Sequence, residues 1–118
     1  MKNLLIIIIS LIGFNAFSQE TITATQAKDF VGKEVILQGK VAGTRQFSNQ
    51  SGELLLINID KAFPDNDVTV VVRGEVLKKV KFTEADLNDK SIKVKGTVSI
   101  FRDKPQIELL NETDLTIL

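Results

Sequence analysis

A chain of 118 residues holds one domain at most. Its 15 lysines and arginines are matched by 15 aspartates and glutamates, so it lacks the basic excess by which non-specific nucleic-acid binders attract phosphate. The absence of cysteine excludes a disulfide framework, a thiolate metal site and a lipid-acceptor cysteine, and the absence of histidine removes the commonest acid–base catalyst and metal ligand.

The chain opens with Lys2 and the apolar run Leu4 to Ile9, which continues through Leu11, Ile12 and Phe14 to Ala16-Phe17-Ser18. A positive start, a short apolar middle and small residues before the cut read as a secretory signal peptide over 1–18, cleaved between Ser18 and Gln19. The competing reading is a membrane anchor. Spanning a bilayer takes about 20 apolar residues, and polar residues return at Gln19 and Glu20, which favours cleavage. The expected product is one domain over 19–118, exported to the periplasm or secreted, with no membrane anchor. Loss of Lys2 leaves it with 14 bases against 15 acids, a net charge of −1.

Thr21 to Thr25 is a polar lead-in. Thr25 to Val31 offers a short helix with Thr23 or Thr25 as N-cap and Ala27, Phe30 and Val31 facing inward. Gly32 supplies the left-handed residue that ends it, and the helix is expected to plug one end of the fold. Strand one runs from Glu34 to about Arg45, with Val35, Leu37 and Val41 on one face and Glu34, Gln38 and Lys40 on the other. Gly39 and Gly43 let it curl, and Phe47 to Gly52 is turn chemistry.

Strand two, Glu53 to Asp60, is too apolar to leave a wholly polar outer face. Lys61 to Asp67 connects it to strand three, Val68 to Arg73, and Pro64 forbids a continuing ladder. From Gly74 the period changes: Val76, Leu77 and Val80 fall at helical spacing, opposite Lys78, Lys79 and Lys81. Thr83 and Asp86 then cap a second short turn that buries Leu87.

Lys90 to Leu110 reads as a hairpin. Ile92, Val94, Val98 and Ile100 alternate with polar residues, Arg102 to Pro105 turns the chain, and Ile107 and Leu109 continue the apolar face. Asn111 to Asp114 is a polar turn, and Leu115 to Leu118 forms a terminal strand. One phrase occurs twice: Lys33, Val35, Leu37, Gly39, Val41 and Arg45 recur 57 residues later as Lys90, Ile92, Val94, Gly96, Val98 and Arg102. Two long strands, each bent at a central glycine, predict a small closed barrel.

The order is strand, strand, strand, helix, strand, strand. It is similar to the OB-fold, an all-β, five-stranded Greek-key barrel with its helix between strands three and four. The residues Phe30-Val31-Gly32-Lys33, Val35 to Val41, Ser51-Gly52, Ile92 to Val98 and Lys104 to Ile107 resemble small secreted bacterial OB-fold proteins grouped with nucleic-acid-binding domains of the tRNA-anticodon-binding type. A secondary likeness is to periplasmic stress-related OB proteins.

That resemblance implies single-stranded nucleic acid as ligand class, held across strands two and three between the first hairpin loop and the loop joining strands four and five. Carried onto this chain, the face holds Arg45, Phe47, Asn49, Asn58, Arg73, Phe101, Arg102 and Lys104. Phe47 and Phe101 would stack bases while Arg45, Arg73, Arg102 and Lys104 meet phosphates; the structural alternative packs both phenylalanines into the barrel rim. Phe101 falls on the polar parity of its strand, which favours its exposure.

The chain has no tyrosine or tryptophan, and strands two and three are aliphatic, so the alternative occupant is a protein or peptide partner on an outward apolar strip. No cofactor, metal site or catalytic group is expected. Asp65, Asn66 and Asp67 lack the glycine and distant glutamate of a calcium loop. Asp60 and Asp65 match no nuclease motif, and Lys78, Lys79 and Lys81 read as a solvated helix face.

Overall fold

The computed structural model describes residues 20–50 and 52–118, the side chain of Asn49 excepted. The expected signal peptide over 1–18 lies outside the described residues. Seven strands are present among those described: β1 (Thr21–Ile22), β2 (Glu34–Asn49), β3 (Gly52–Ile59), β4 (Thr69–Arg73), β5 (Ser91–Phe101), β6 (Lys104–Glu108) and β7 (Leu115–Ile117). Two helices, α1 (Gly74–Lys79) and α2 (Glu84–Leu87), lie between β4 and β5. Short 3-10 turns cover Ala24–Asp29 and Glu112–Asp114.

The barrel closes because β2 serves two neighbours in succession. Its first half, Glu34 to Lys40, pairs antiparallel with β5, and its second half, Val41 to Asn49, pairs antiparallel with β3. β3 pairs with β4, β4 runs parallel to β6, and β6 returns antiparallel to β5, giving the ring β2-β3-β4-β6-β5. The expected five-stranded Greek-key barrel, with helix between its third and fourth strands, is present. β1 and β7 flank it, β1 parallel to Ile36 and Leu37, β7 antiparallel to Ile92 to Val94.

The interior is the aliphatic set that strand alternation predicts: Val35, Leu37 and Val41 from β2, Leu55, Ile57 and Ile59 from β3, Ile92, Val94 and Val98 from β5, and Ile107 from β6. The two repeated glycines mark close approaches. A Cβ at Gly96 would lie 2.5 Å from the Ile107 methyl, and one at Gly39 would collide with the Ile59 side chain. Where β2 passes from β5 to β3, the register shifts between Val41 and Gly43, a bulge that sharpens the bend.

Thr83 N–H donates to Asp86 Oδ2 at 2.8 Å and Asp86 N–H donates back to Thr83 Oγ1 at 3.3 Å, so the expected cap forms and Leu87 is buried. Lys78 pairs with Glu75 at 3.4 Å, and Lys78, Lys79 and Lys81 are exposed, as a solvated face requires.

Four local expectations are corrected. The lead-in contributes a strand, Thr21–Ile22, with Ile22 buried against β2. The first helix is a 3-10 turn that starts earlier and stops at Asp29; Ala24 and Ala27 are its buried residues, while Val31 is 45% exposed and bridges Val98. β2 runs four residues beyond Arg45, to Asn49, so Phe47 and Ser48 belong to the strand rather than the turn. Ile100 is 49% exposed, because the β5–β6 hairpin overshoots the ring beyond the Val98–Ile107 rung.

Candidate functional site

Side chains on one face of β2, β3, β4 and β6 form cross-strand rungs. Phe47 stands opposite Leu54, which stands opposite Arg73. The next rung is Arg45, Leu56, Val71 and Glu108. The third runs from Asn58 through Thr69 to Gln106. This face floors a groove of about 660 Å³, within the range of small-ligand clefts. Leu54, Leu56 and Val71 make an aliphatic floor, and loop residues Phe63 and Pro64 with Phe101 and Arg102 of the β5–β6 hairpin wall one end. Seven of the eight residues named from sequence line the groove; the eighth, Asn49, pairs through its backbone with Gly52.

Three cation–aromatic pairs ring the groove. The Arg45 guanidinium lies 4.7 Å from the Phe47 ring centroid, Arg102 lies 5.2 Å from Phe101, and Lys104 Nζ lies 5.7 Å from Phe63. Each such contact is worth roughly 0.5–1 kcal/mol at an exposed site and holds the ring and the cation side by side. Phe101 is 57% exposed and Phe63 is 67% exposed, so both present open faces, whereas Phe47 is half-buried.

The chain places Arg102 at some conformational expense. Arg102 and Asp103 form a two-residue hairpin turn with φ of 51° and 67°, a region that glycine and asparagine adopt far more readily. Four cations line the groove, Arg45, Arg73, Arg102 and Lys104, and no aspartate or glutamate does among the described residues. A chain of zero formal net charge has therefore segregated its charge.

Two of those cations also have partners within the protein. Arg73 Nε lies 3.5 Å from Glu108 Oε1, so its charge is already met. Lys104 Nζ donates to the carbonyls of Pro64 and Asn66, the latter at 3.2 Å, which ties the β5–β6 hairpin to the β3–β4 loop. Asn58 lines the groove but is 8% exposed, and its Oδ1 accepts from Asn66 Nδ2 and from Thr69 Oγ1, both at 3.3 Å. It props the groove's end rather than facing solvent.

Phe63 was not among the residues read from sequence. It sits in the β3–β4 connection, where no periodicity says which way a ring points. The available signal was a phenylalanine beside proline in an otherwise polar loop. Asn66, in the same connection, is 2% exposed, with Nδ2 donating to Thr69 Oγ1 at 2.7 Å and to Val68 O at 3.0 Å. Asp60 Oδ1 accepts the Lys40 N–H at 2.9 Å, a backbone-capping role. Among the described residues no group of three or more acidic side chains is placed to hold a metal ion.

No family model matches this sequence, and no curated protein does. Solved structures do resemble it. A chain in the crystal structure of yeast Stn1 and Ten1 aligns with TM-score 0.61 and 8% identity over 86% of this chain and 64% of that one. An aspartyl-tRNA synthetase of Leishmania major Friedlin aligns with TM-score 0.53 and 14% identity over 86% of this chain and 21% of that one. The second OB-fold domain of replication protein A from Methanococcus maripaludis aligns at 14% identity and TM-score 0.46, over 82% of this chain and 95% of that one. The strand ring, its parallel β4–β6 closure and the helices between β4 and β5 decide the architecture. The protein is an OB-fold. The chain spans about a fifth of the synthetase and less than two thirds of the yeast chain. In this OB barrel the groove lies on the ligand-carrying face of the fold, across the second and third ring strands.

Proposed function

We propose that this OB barrel is an exported binding module for single-stranded nucleic acid, without catalytic chemistry of its own. The observation that carries the reading is the set of three cation–aromatic pairs around a groove whose lining, among the described residues, holds four cations and no carboxylate. Sequence-tolerant single-strand binding needs those two groups together, a ring for a base face and a cation for the adjoining phosphate. Phe47, Phe63 and Phe101 supply the rings, Arg45 and Arg102 the cations that no carboxylate pairs with among the described residues, and the aliphatic floor meets sugars and base edges. An RNA-related enzyme, the synthetase named above, carries the same barrel, which supports the ligand class at the level of fold.

Fluorescence anisotropy with a labelled oligothymidylate tests the reading. Binding is expected at low salt and weakens as salt rises, since phosphate contacts release counterions. No binding at low salt overturns it. Export is tested separately: the mature protein is expected to begin at Gln19, and a chain that retains Met1 after fractionation overturns that part.

The aliphatic floor of Leu54, Leu56 and Val71 favours a second reading, a protein or peptide partner seated on the same groove. A pull-down from an envelope extract with the Arg45→Ala/Arg102→Ala variant separates the two. Loss of the captured ligand supports nucleic acid, and retention of a protein supports the apolar mode.

A further inference from the structure

Glu108 stands out on the ligand face. It shares a rung with Val71, Leu56 and Arg45, so its side chain projects on the groove side of the sheet. Glu108 is the one acidic residue on the three rungs, among Arg45, Arg73 and neutral side chains. Its Oε1 lies 3.5 Å from Arg73 Nε, with the two side chains 40% and 54% exposed. Among the described residues no acidic side chain pairs with Arg45 or Arg102, which lean on phenylalanine rings instead.

We propose that Glu108 is a built-in competitor for the ligand's phosphate, holding Arg73 in reserve and thereby limiting how tightly the groove binds polyanions. The inference rests on the oligonucleotide reading above. A half-exposed ion pair is weak enough for a phosphate to displace, and a carboxylate occupies the guanidinium edge that a phosphate oxygen would otherwise take. An incoming strand must therefore push one negative charge aside before it gains the third arginine. The pair sets a threshold: strands that reach Arg73 and also engage Arg45 and Arg102 are retained, and lone phosphates or short anions are not.

The test compares wild type with Glu108→Gln, Arg73→Gln, the double variant, Arg45→Gln and Glu20→Gln, the last changing charge by the same amount at an exposed residue outside the groove. Each is checked by thermal melting, and binding to an oligothymidylate of about eight nucleotides is titrated between about 50 and about 200 mM salt. Glu108→Gln is expected to bind about fivefold tighter at the lower salt, with log K falling more steeply by about 0.7 per decade of salt, the increment of one added phosphate contact on a single strand. Glu20→Gln should match wild type, and the double variant should lose the gain. Arg73→Gln alone should cost less than about twofold, and Arg45→Gln several times more.

Wild-type binding with Glu108→Gln no tighter overturns the inference and leaves the oligonucleotide reading standing. So does an Arg73→Gln loss equal to that of Arg45→Gln, which keeps the idea testable if Glu108→Gln does not fold. Absence of binding by wild type overturns the oligonucleotide reading, and the competitor role with it.

Discussion

Gly96 and Gly43 lie in long strands of the same barrel, yet they answer to different constraints. At Gly96 a methyl group would sit 2.5 Å from an Ile107 methyl inside the packed ring, whereas at Gly43 it would meet nothing within 4 Å. Gly96→Ala is therefore expected to destabilise the fold by about 1–3 kcal/mol, the usual range for overpacking. Gly43→Ala should change stability by less than about 0.5 kcal/mol. Urea unfolding of both checks the contrast, and equal effects would contradict the packing argument. Arg102 poses the opposite case, an unfavourable backbone kept at a groove residue. Replacing Arg102-Asp103 with Asn-Gly is expected to raise stability by about 1 kcal/mol. The same change should weaken oligonucleotide binding, so denaturation and anisotropy should move in opposite directions.

At the scale of elements, the β3–β4 loop and the β5–β6 hairpin form one wall because Lys104 joins them through the Pro64 and Asn66 carbonyls. Lys104→Met keeps the length and apolar stem of the side chain but loses its donors. Amide exchange over residues 61–67 is expected to speed up at least severalfold by mass spectrometry, with little change in the β2–β5 ladder.

The contrast between ladder and wall also separates what the sequence discloses from what it conceals. Val35, Leu37, Ile92 and Val94 repeat every second residue, and a period of two is a physical property of strands, so the core reads directly. The glycines at 39 and 96 read for the same reason, as gaps in that pattern. Phe63 and Asn66 lie where the chain has no period, and their roles arise from contacts with Lys104, 41 and 38 positions away. Ile100 obeys the alternation and is nonetheless exposed, since pattern does not disclose where the hairpin outruns its ring. Within the site, sequence finds the cations but not their partners: that Arg73 is met by Glu108 depends on the β4–β6 pairing, which closes only in three dimensions.

For the molecule as a whole, balanced composition conceals a polar distribution of charge. With 15 bases against 15 acids the chain has no long-range pull on nucleic acid, so the proposed binding draws its attraction from the groove itself. Arg45, Arg102 and the partly engaged Lys104 make about three phosphate contacts while Glu108 holds Arg73. The expected slope of log K against log salt is then about −2, far shallower than for a strongly basic binder. Arg45→Ala and Arg102→Ala should each flatten it by about 0.7. A slope near zero with binding intact would point to the apolar floor as the source of affinity.

The division of β2 between two partners bears on how the chain comes together in time. Residues 34–40 of β2 meet β1 on one edge, and find their antiparallel ladder only in residues 91–97, more than fifty positions later. Fragments ending before Ser91 would leave half of that strand with the two-residue β1 as its one neighbour and the β5 edge open. Separations this long put barrel closure among the slower folding events.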